Sequence, residues 1–445
     1  MKILLTDSFD RFAAGVLSLV AAAALAAPAA ADDQLAPPPP TPAIVSTEPV
    51  FEATTIDGER FSAQLRALDC ERNALDLIEL TPAIEGAKAG EERRPTAHPR
   101  SLRLDHVFKL QRREPPPPFP PEGAQILFPQ GDRLRAVLSL TTETNLLARS
   151  FLLGDVSIPL GSIQGMILSP PVESDHAFAL RRSVLGEPKG SEMFWLMNGD
   201  RLVGGFLGLD VAKTTLRIGG KEKRLDRTGV QAIGFDPAIV EYPEPQAIFL
   251  DATLSDGSRL GLEQTKIDQG LLRGKTRFGV PIAIPLGEVA RLQVRGGGVV
   301  FLDDRPATDA VYIGYLGAVA GYRRGENVEG DPLKLNDQTY DRGIGMQSRT
   351  LLAYKLEPNC LRFQAEVGVD DRAGPLGSVS FRVLVDGKEK YASPVMTARE
   401  DPRRIDVAIK GGRVLILAVE FGERGDVRDL ADWVEARLIL DQKHR

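Results

Sequence analysis

Ser378-Val379-Ser380-Phe381-Arg382-Val383-Leu384-Val385-Asp386-Gly387 is the stretch from which the fold is read. Val379, Phe381, Val383 and Val385 are apolar, and Ser378, Ser380 and Arg382 alternate with them. Successive side chains of a strand point to opposite faces, so this period of two marks a half-buried strand. Asp386-Gly387 supplies the positive-φ positions of a tight hairpin, with the return strand running to Tyr391. Outward from this hairpin, strands are predicted over 351–356, 360–368, 404–409, 414–420 and 436–440. Six or more strands without a long helix make residues 300–440 a β-sandwich of jelly-roll type. Gly296-Gly297-Gly298 marks the joint before it.

Upstream, one pattern recurs four times, near 48–113, 124–170, 192–236 and 246–296. Each copy has an apolar strand, a tight turn and a second strand: Asp57-Gly58, Gln130-Gly131-Asp132, Asn198-Gly199-Asp200 and Asp256-Gly257 are the turns. Each closes on a short element: Ser101-Leu102-Arg103-Leu104, Ile158-Pro159-Leu160, Arg224-Leu225-Asp226 or Ile284-Pro285-Leu286. Asn-Gly and Asp-Gly fit two-residue hairpin turns, and four or five short strands per copy fit a small antiparallel barrel. Such barrels expose strand edges, so neighbours are expected to pack edge to edge or face to face. The turn aspartates read as turn chemistry, because Asp and Asn tolerate left-handed backbone and bond locally. These copies therefore look like a scaffold or interaction stalk. The first copy carries a charged insertion, Gly86 to Arg100, the proline run Pro115–Pro118 with Pro120 and Pro121 marks a boundary, and Pro170 to Lys189 reads as a broken polar loop.

The chain has 445 residues, 43% hydrophobic and 26% charged, with net charge −6. That mild acidity offers no basic face for neutralising phosphates, so nucleic acid is not an expected partner. Lys2 and Arg11 precede an apolar run from Phe12 to Ala31 that ends in small residues. This reads as a signal peptide over 1–31, followed by a Pro-rich linker over 32–47, with a retained anchor as the alternative. No later stretch is long and apolar enough to span a bilayer, so the expected location is periplasmic, cell-surface or secreted. Cys70 and Cys360 fall in different units and read as isolated thiols. The four histidines are scattered, and no zinc spacing, nucleophile motif or phosphate loop is legible. No catalytic residue is assigned, and the chain reads as a non-enzyme.

The run Leu335-Asn336-Asp337-Gln338-Thr339-Tyr340-Asp341-Arg342-Gly343-Ile344-Gly345-Met346-Gln347-Ser348 resembles the signature of the NPCBM family, carbohydrate-binding modules found beside certain glycoside hydrolases. Phe363 to Asp371, Gly377 to Val383, Val385 to Lys388 and Val407 to Val419 follow in the family's order. Asp429-Leu430-Ala431-Asp432-Trp433-Val434-Glu435-Ala436-Arg437-Leu438 resembles its close. The resemblance covers about 305–440 and implies a galactose-binding-like sandwich there; with the repeats read upstream, the chain is expected to be all-β, tandem small antiparallel β-barrel-like repeats followed by a C-terminal jelly-roll (galactose-binding-like) β-sandwich. It implies a polysaccharide or glycan as partner. Candidate sugar-binding residues are Arg342, Ser348, Arg349, Asp370, Asp371, Asp432 and Trp433, which offer polar groups for hydroxyls and one aromatic face; burial of Trp433 in the core is the competing reading. No cofactor is assigned. Paired aspartates are also the oxygen ligands that Ca²⁺ takes, so a metal stays open. Gln347 and Leu430 stand where the family pattern has histidine. That departure supports an alternative, an envelope scaffold that binds other envelope proteins and whose sandwich has lost sugar binding. A glycoside hydrolase is the third reading: acidic pairs such as Asp303-Asp304 exist, but nothing in the sequence fixes the separation that chemistry needs.

Overall fold

The computed structural model describes residues 48–81, 96–114, 116, 123–188, 190–314, 321–423 and 425–441. The leader, the linker, most of the charged insertion and most of the proline run at 115–121 lie outside the described residues.

Four small antiparallel units precede the sandwich, of five strands each except the third, which has six. In the first, Val50–Thr55, Arg60–Asp69, Ala74–Thr81 and Thr96–Arg103 form an antiparallel meander. A 3-10 turn at Leu104–His106 then redirects the chain, and Val107–Arg112 returns to pair with Val50–Thr55. The fourth unit repeats this with Phe249–Leu254, Arg259–Asp268, Leu271–Thr276, Pro281–Pro285, a turn at Leu286–Glu288 and Val289–Arg295. The second and third units close through the turns Leu160–Ser162 and Arg227–Gly229 onto Gly165–Ile167 and Val230–Gly234. The closing element read from sequence is thus this 3-10 turn. Leu104 and Leu286, at its head, are buried and pin the corner to the core.

The repeated hairpin differs from the two-residue turn expected of it. In the first unit Gly58 N–H donates to Thr55 O (3.1 Å) and Thr55 N–H donates to Glu59 O (3.0 Å), which encloses three residues. Gly58, Gly199 and Gly257 sit at φ 87°, 89° and 82°, while Asp57, Asn198 and Asp256 keep negative φ. This is a type I turn followed by a left-handed glycine, which needs only one positive-φ position.

The barrels join in pairs through their last strands. Val107–Arg112 of the first lies antiparallel to Val289–Arg295 of the fourth, with Leu110 opposite Leu292. Gly165–Ile167 of the second lies beside Val230–Gly234 of the third, with Met166 opposite Ile233. Each exposed edge is thereby covered by its counterpart, the protection such edges require. The segment read as a broken loop contains a helix, Ser174–Gly186. Ala177, Leu180 and Val184 recur at helical spacing, and Val184 packs with Leu127, Ile167, Trp195 and Ala232. Tertiary burial of one narrow stripe outweighs a polar composition here.

The sandwich has two facing sheets. One orders Tyr322–Arg324, Gly343–Gln347, Leu430–Leu440, Cys360–Val369 and Arg403–Ala408, with Val299–Phe301 on the far half of Leu430–Leu440. The other orders Asp309–Tyr312, Thr350–Lys355, Val414–Phe421, Ser378–Val385 and Lys388–Ala392. Asp386 and Gly387 take φ 49° and 75°, the two positive angles of the expected two-residue hairpin. Between the sheets, Trp433 is fully buried, 5.3 Å edge-on to Phe381 and 6.1 Å from Phe363.

Leu430–Leu440 is buried along its whole length. Ala431, Trp433, Ala436, Leu438 and Leu440 belong to the sandwich core. The step of three from Trp433 to Ala436 breaks strict alternation. A β-bulge explains it: Glu366 lies opposite Val434 and Gln364 opposite Arg437, so one residue on one strand faces two on the other. Glu435 takes φ 51° at that point. The bulge turns Glu435 and Arg437 together toward the first barrel. Lys109 Nζ donates to Glu435 at 2.7 and 2.9 Å, the Arg437 guanidinium lies 3.7 Å from the Phe108 ring centroid, and Gln364 Nε2 donates to Ile56 O at 2.8 Å. Ile56, Phe108, Phe301 and Ile439 close an apolar cluster beside them. Burial alone would raise the Glu435 pKa, but Lys109 and Arg437 outweigh it and hold the carboxyl below its usual value.

Trp433→Ala should cost about 3–5 kcal/mol, measured by urea unfolding. Lys109→Met leaves Glu435 buried without its ammonium partner and should cost about 3–5 kcal/mol near neutral pH. In the native protein the depressed Glu435 pKa contributes stability above its unfolded value that is lost as pH falls. In the variant a proton on Glu435 relieves the buried charge, so the deficit should shrink on acidification. Parallel unfolding curves at neutral and mildly acidic pH check this, and a constant deficit would count against it.

Candidate functional site

The residues read as sugar ligands fall in three separate places. Arg342 is buried and turned toward the start of the module. Its Nε donates to Asp303 at 3.0 Å, it pairs with Asp304, and its guanidinium lies 4.3 Å from the Phe301 ring centroid. Burial, then Asp304 beside it, pushes Asp303 up to about 7. Arg342 therefore clamps the first strand and turn of the module. The glycines that follow it serve close approach: a Cβ on Gly343 would lie 2.5 Å from Trp433 O, and one on Gly345 2.4 Å from Asn327 Cα.

Asp370, Asp371 and Asp432 gather beneath the hairpin Leu333–Leu335/Gln338–Tyr340. Asp371 accepts from Asn336 N–H and Asp337 N–H, each at 2.8 Å. Asp370 accepts from Lys334 N–H at 3.2 Å and from Arg372 N–H at 2.9 Å. Asn336 and Asp337 hold φ 46° and 64°, so these carboxylates fix a strained tip against the sheet. Asp432 is fully buried, and its oxygens find no N–H donor at good geometry. Burial first, and then the Asp370 carboxyl facing it, push Asp432 well above the usual carboxylate range. Two such groups cannot both ionise in a dry site, so burial and the facing Asp370 carboxyl favour the protonated form of Asp432. Among the described residues no group of three or more His, Cys, Asp or Glu side chains is placed to hold a metal ion. Trp433 lies between the sheets, so its ring has no face to offer a sugar.

Ser348 and Arg349 occupy the remaining place, the turn between Gly343–Gln347 and Thr350–Lys355. Ser348 is buried, with its hydroxyl against Asp429, whose carboxyl accepts from Ser378 N–H at 3.0 Å and is pushed up to about 6 by burial. Arg349 takes φ 59° and its guanidinium lies 5.7 Å from the Phe421 ring centroid. The sheet order brings residues to this end that the motifs did not reveal. Asp309–Tyr312 and Val414–Phe421 both flank Thr350–Lys355, which places Tyr312 and Phe421 on either side of Arg349. Gln347 Nε2 reaches Asp426 O at 3.5 Å, and the Tyr312 pKa is raised by burial and then by Asp426. Phe421 and Val427 are exposed. Aromatic face, guanidinium, amide and hydroxyl thus converge on one open end of the sandwich. Gln347 and Leu430, the two departures from the family pattern, are register partners on adjacent strands. Both histidines of the pattern would stand side by side, and here the pair is replaced together.

This architecture defines a β-sandwich module docked on a platform of paired barrels. Residues 299–439 match the family model described as the NPCBM/NEW2 domain, so the last third of the chain is a module of that family. A Renibacterium salmoninarum protein named an endo-alpha-N-acetylgalactosaminidase is 32% identical over 117 residues, 26% of this chain. The chain spans only 8% of that relative's length. Among solved structures, the CBM51 of Clostridium perfringens GH95 in complex with methyl-galactose is 27% identical, covering 32% of this chain and 99% of its own, with a TM-score of 0.29. The tandem CBM51 modules of a family 98 glycoside hydrolase from Streptococcus pneumoniae are 13% identical, covering 71% of this chain and 88% of theirs, with a TM-score of 0.29.

Asp432→Asn keeps a donor toward Asp370 and should leave stability near native at acidic pH. In the native protein the raised Asp432 pKa makes stability fall as pH rises above the unfolded carboxylate value. The variant should show a flatter dependence above that pH. Steeper loss in the variant would contradict the protonated assignment.

Proposed function

We propose that the chain is an exported, non-catalytic protein that binds a glycan through its NPCBM module and carries that module on the barrel platform. The observation that carries the reading is the open cluster of Tyr312, Gln347, Arg349 and Phe421 at the free end of the sandwich. Sugar recognition asks for an apolar face with a few placed polar groups around it. The family match over residues 299–439 and the glycoside hydrolase associations of the relatives' names support it. The export half rests on the leader pattern. Among the described residues no helix is long and apolar enough to cross a membrane.

A second reading has a specific observation behind it. Gln347 and Leu430, which both depart from the family pattern, sit at one cross-strand position, as they would if the sandwich had exchanged sugar for a protein partner. Calorimetry of the full chain on a panel of soluble polysaccharides, with and without Ca²⁺, separates the two. At least one glycan should bind, and Arg349→Ala or Phe421→Ala should weaken it by about tenfold, roughly 1.4 kcal/mol. No binding to any glycan, with a protein retained instead from an envelope extract, would favour the scaffold. N-terminal sequencing of the protein recovered outside the cytoplasm should begin after Ala31; recovery of an intact Met1 form there would contradict cleavage.

A further inference from the structure

A cleft of about 910 Å³ lies where the second barrel and the helix Ser174–Gly186 meet the module. Its volume falls within the roughly 300–1,000 Å³ of small-molecule sites. Basic side chains outnumber acidic ones in the lining by eight to six, and most of the basic ones already have carboxylates. Arg342 holds Asp303 and Asp304, Arg182 holds Glu326 at 3.1 Å, Arg372 holds Asp331 at 3.3 Å, and Arg259 holds Asp251 at 3.4 Å.

Arg133 and Arg181 are different. Neither has a carboxylate within 4.0 Å among the described residues. Arg133 donates only to Gly257 O, at 3.1 Å. Arg181 makes its one ring contact with Phe178, 5.8 Å from the centroid. Both are half-buried, and Phe178 beside them is half-buried as well. Asp341 is the acid nearest this group, but it pairs with Arg291 and is shared with Arg259 and Arg133. Burial would raise its pKa, and these three guanidiniums outweigh that and hold it far below the usual range. Burial, then Arg133 beside it, pulls Arg181 down to about 10. The other carboxylates of the lining are engaged elsewhere, Asp303 and Asp304 by Arg342, Glu326 by Arg182 and Asp175 by Arg372, so the corner at Arg133 and Arg181 keeps guanidinium charge to offer an anion from outside.

We infer that this cleft binds an anionic saccharide, with a carboxylate or sulfate group seated between Arg133 and Arg181 and a sugar ring against Phe178. The saccharide part rests on the glycan-binding reading above; the anion part rests on the cleft alone. Arginine suits the anion, because its planar fork matches carboxylate and sulfate oxygens in pairs. The half-buried Phe178 ring supplies an apolar face next to that charge, and the Thr339 hydroxyl lies in the same lining. The site is separate from the cluster around Arg349, so the chain would hold a glycan at two points.

Calorimetry of the full chain tests this with four probes at matched ionic strength: an oligogalacturonate, a heparin-derived oligosaccharide, a neutral oligosaccharide and inorganic sulfate. One anionic oligosaccharide should bind more tightly than inorganic sulfate and weaken as salt rises. Arg181→Gln should reduce that affinity by about tenfold or more, whereas Arg181→Lys, which keeps the charge but loses the fork, should fall between it and the native protein. An intermediate affinity in the lysine variant separates loss of charge from loss of fold. Equal affinity in native protein and Arg181→Gln overturns the site. Inorganic sulfate binding as tightly as either oligosaccharide overturns the saccharide assignment. Binding of the neutral oligosaccharide with neither anionic one overturns the cleft while leaving the glycan reading intact.

Discussion

The β-bulge at Glu435 is the constraint on which the rest of the structure depends. A strand buried on both faces has to find a partner for every charged side chain it carries. Without the extra residue, the parity set by Trp433 would turn Glu435 inward and Arg437 after it. A carboxylate and a guanidinium between the sheets would lose water without gaining partners. With it, Trp433 and Ala436 both fill the core, and Glu435 and Arg437 reach Lys109, Phe108 and Gln364. One irregularity therefore closes the sandwich core and docks the module on the first barrel at the same time.

Most of the sandwich was legible because its strands alternate and its central hairpin carries Asp-Gly. The short strands Asp309–Tyr312, Tyr322–Arg324 and Gly343–Gln347 were not read, and the bulged strand was read only in part. Its last five residues, from Ala436, read as a strand, whereas its first six did not, since Asp432 and Glu435 interrupt the alternation. The helix Ser174–Gly186 was hidden for a related reason: prolines precede it and only a narrow stripe is apolar. In the repeats the turn glycines were found and the turn type was not, because Asp-Gly suits both two- and three-residue hairpins.

The site was less legible than the fold. The motif residues were easy to see, and the structure shows that Arg342, Asp370, Asp371, Asp432 and Trp433 clamp, anchor or fill the module. Tyr312 and Phe421 carry no motif. They meet Arg349 only because strands 309–312 and 414–421 are neighbours of the same strand, a fact of topology that spacing along the chain does not contain. The same holds for Gln347 and Leu430, 83 residues apart yet paired in register. The arginine cleft is likewise assembled from a barrel, a helix and the module.

The pairing of the first barrel with the fourth sets a schedule for assembly. Gln111 waits for Arg291, which follows it by 180 residues, before the edge of the first barrel is covered. At roughly 5–20 residues per second of synthesis, that interval is about 10–40 seconds. Until Arg291 emerges, the strand edge of the first barrel stands open while the second and third barrels are still being supplied. Those two are neighbours in sequence and close on each other first. The platform is therefore completed from its middle outward, and the sandwich, made last, arrives at a docking face that has only just formed.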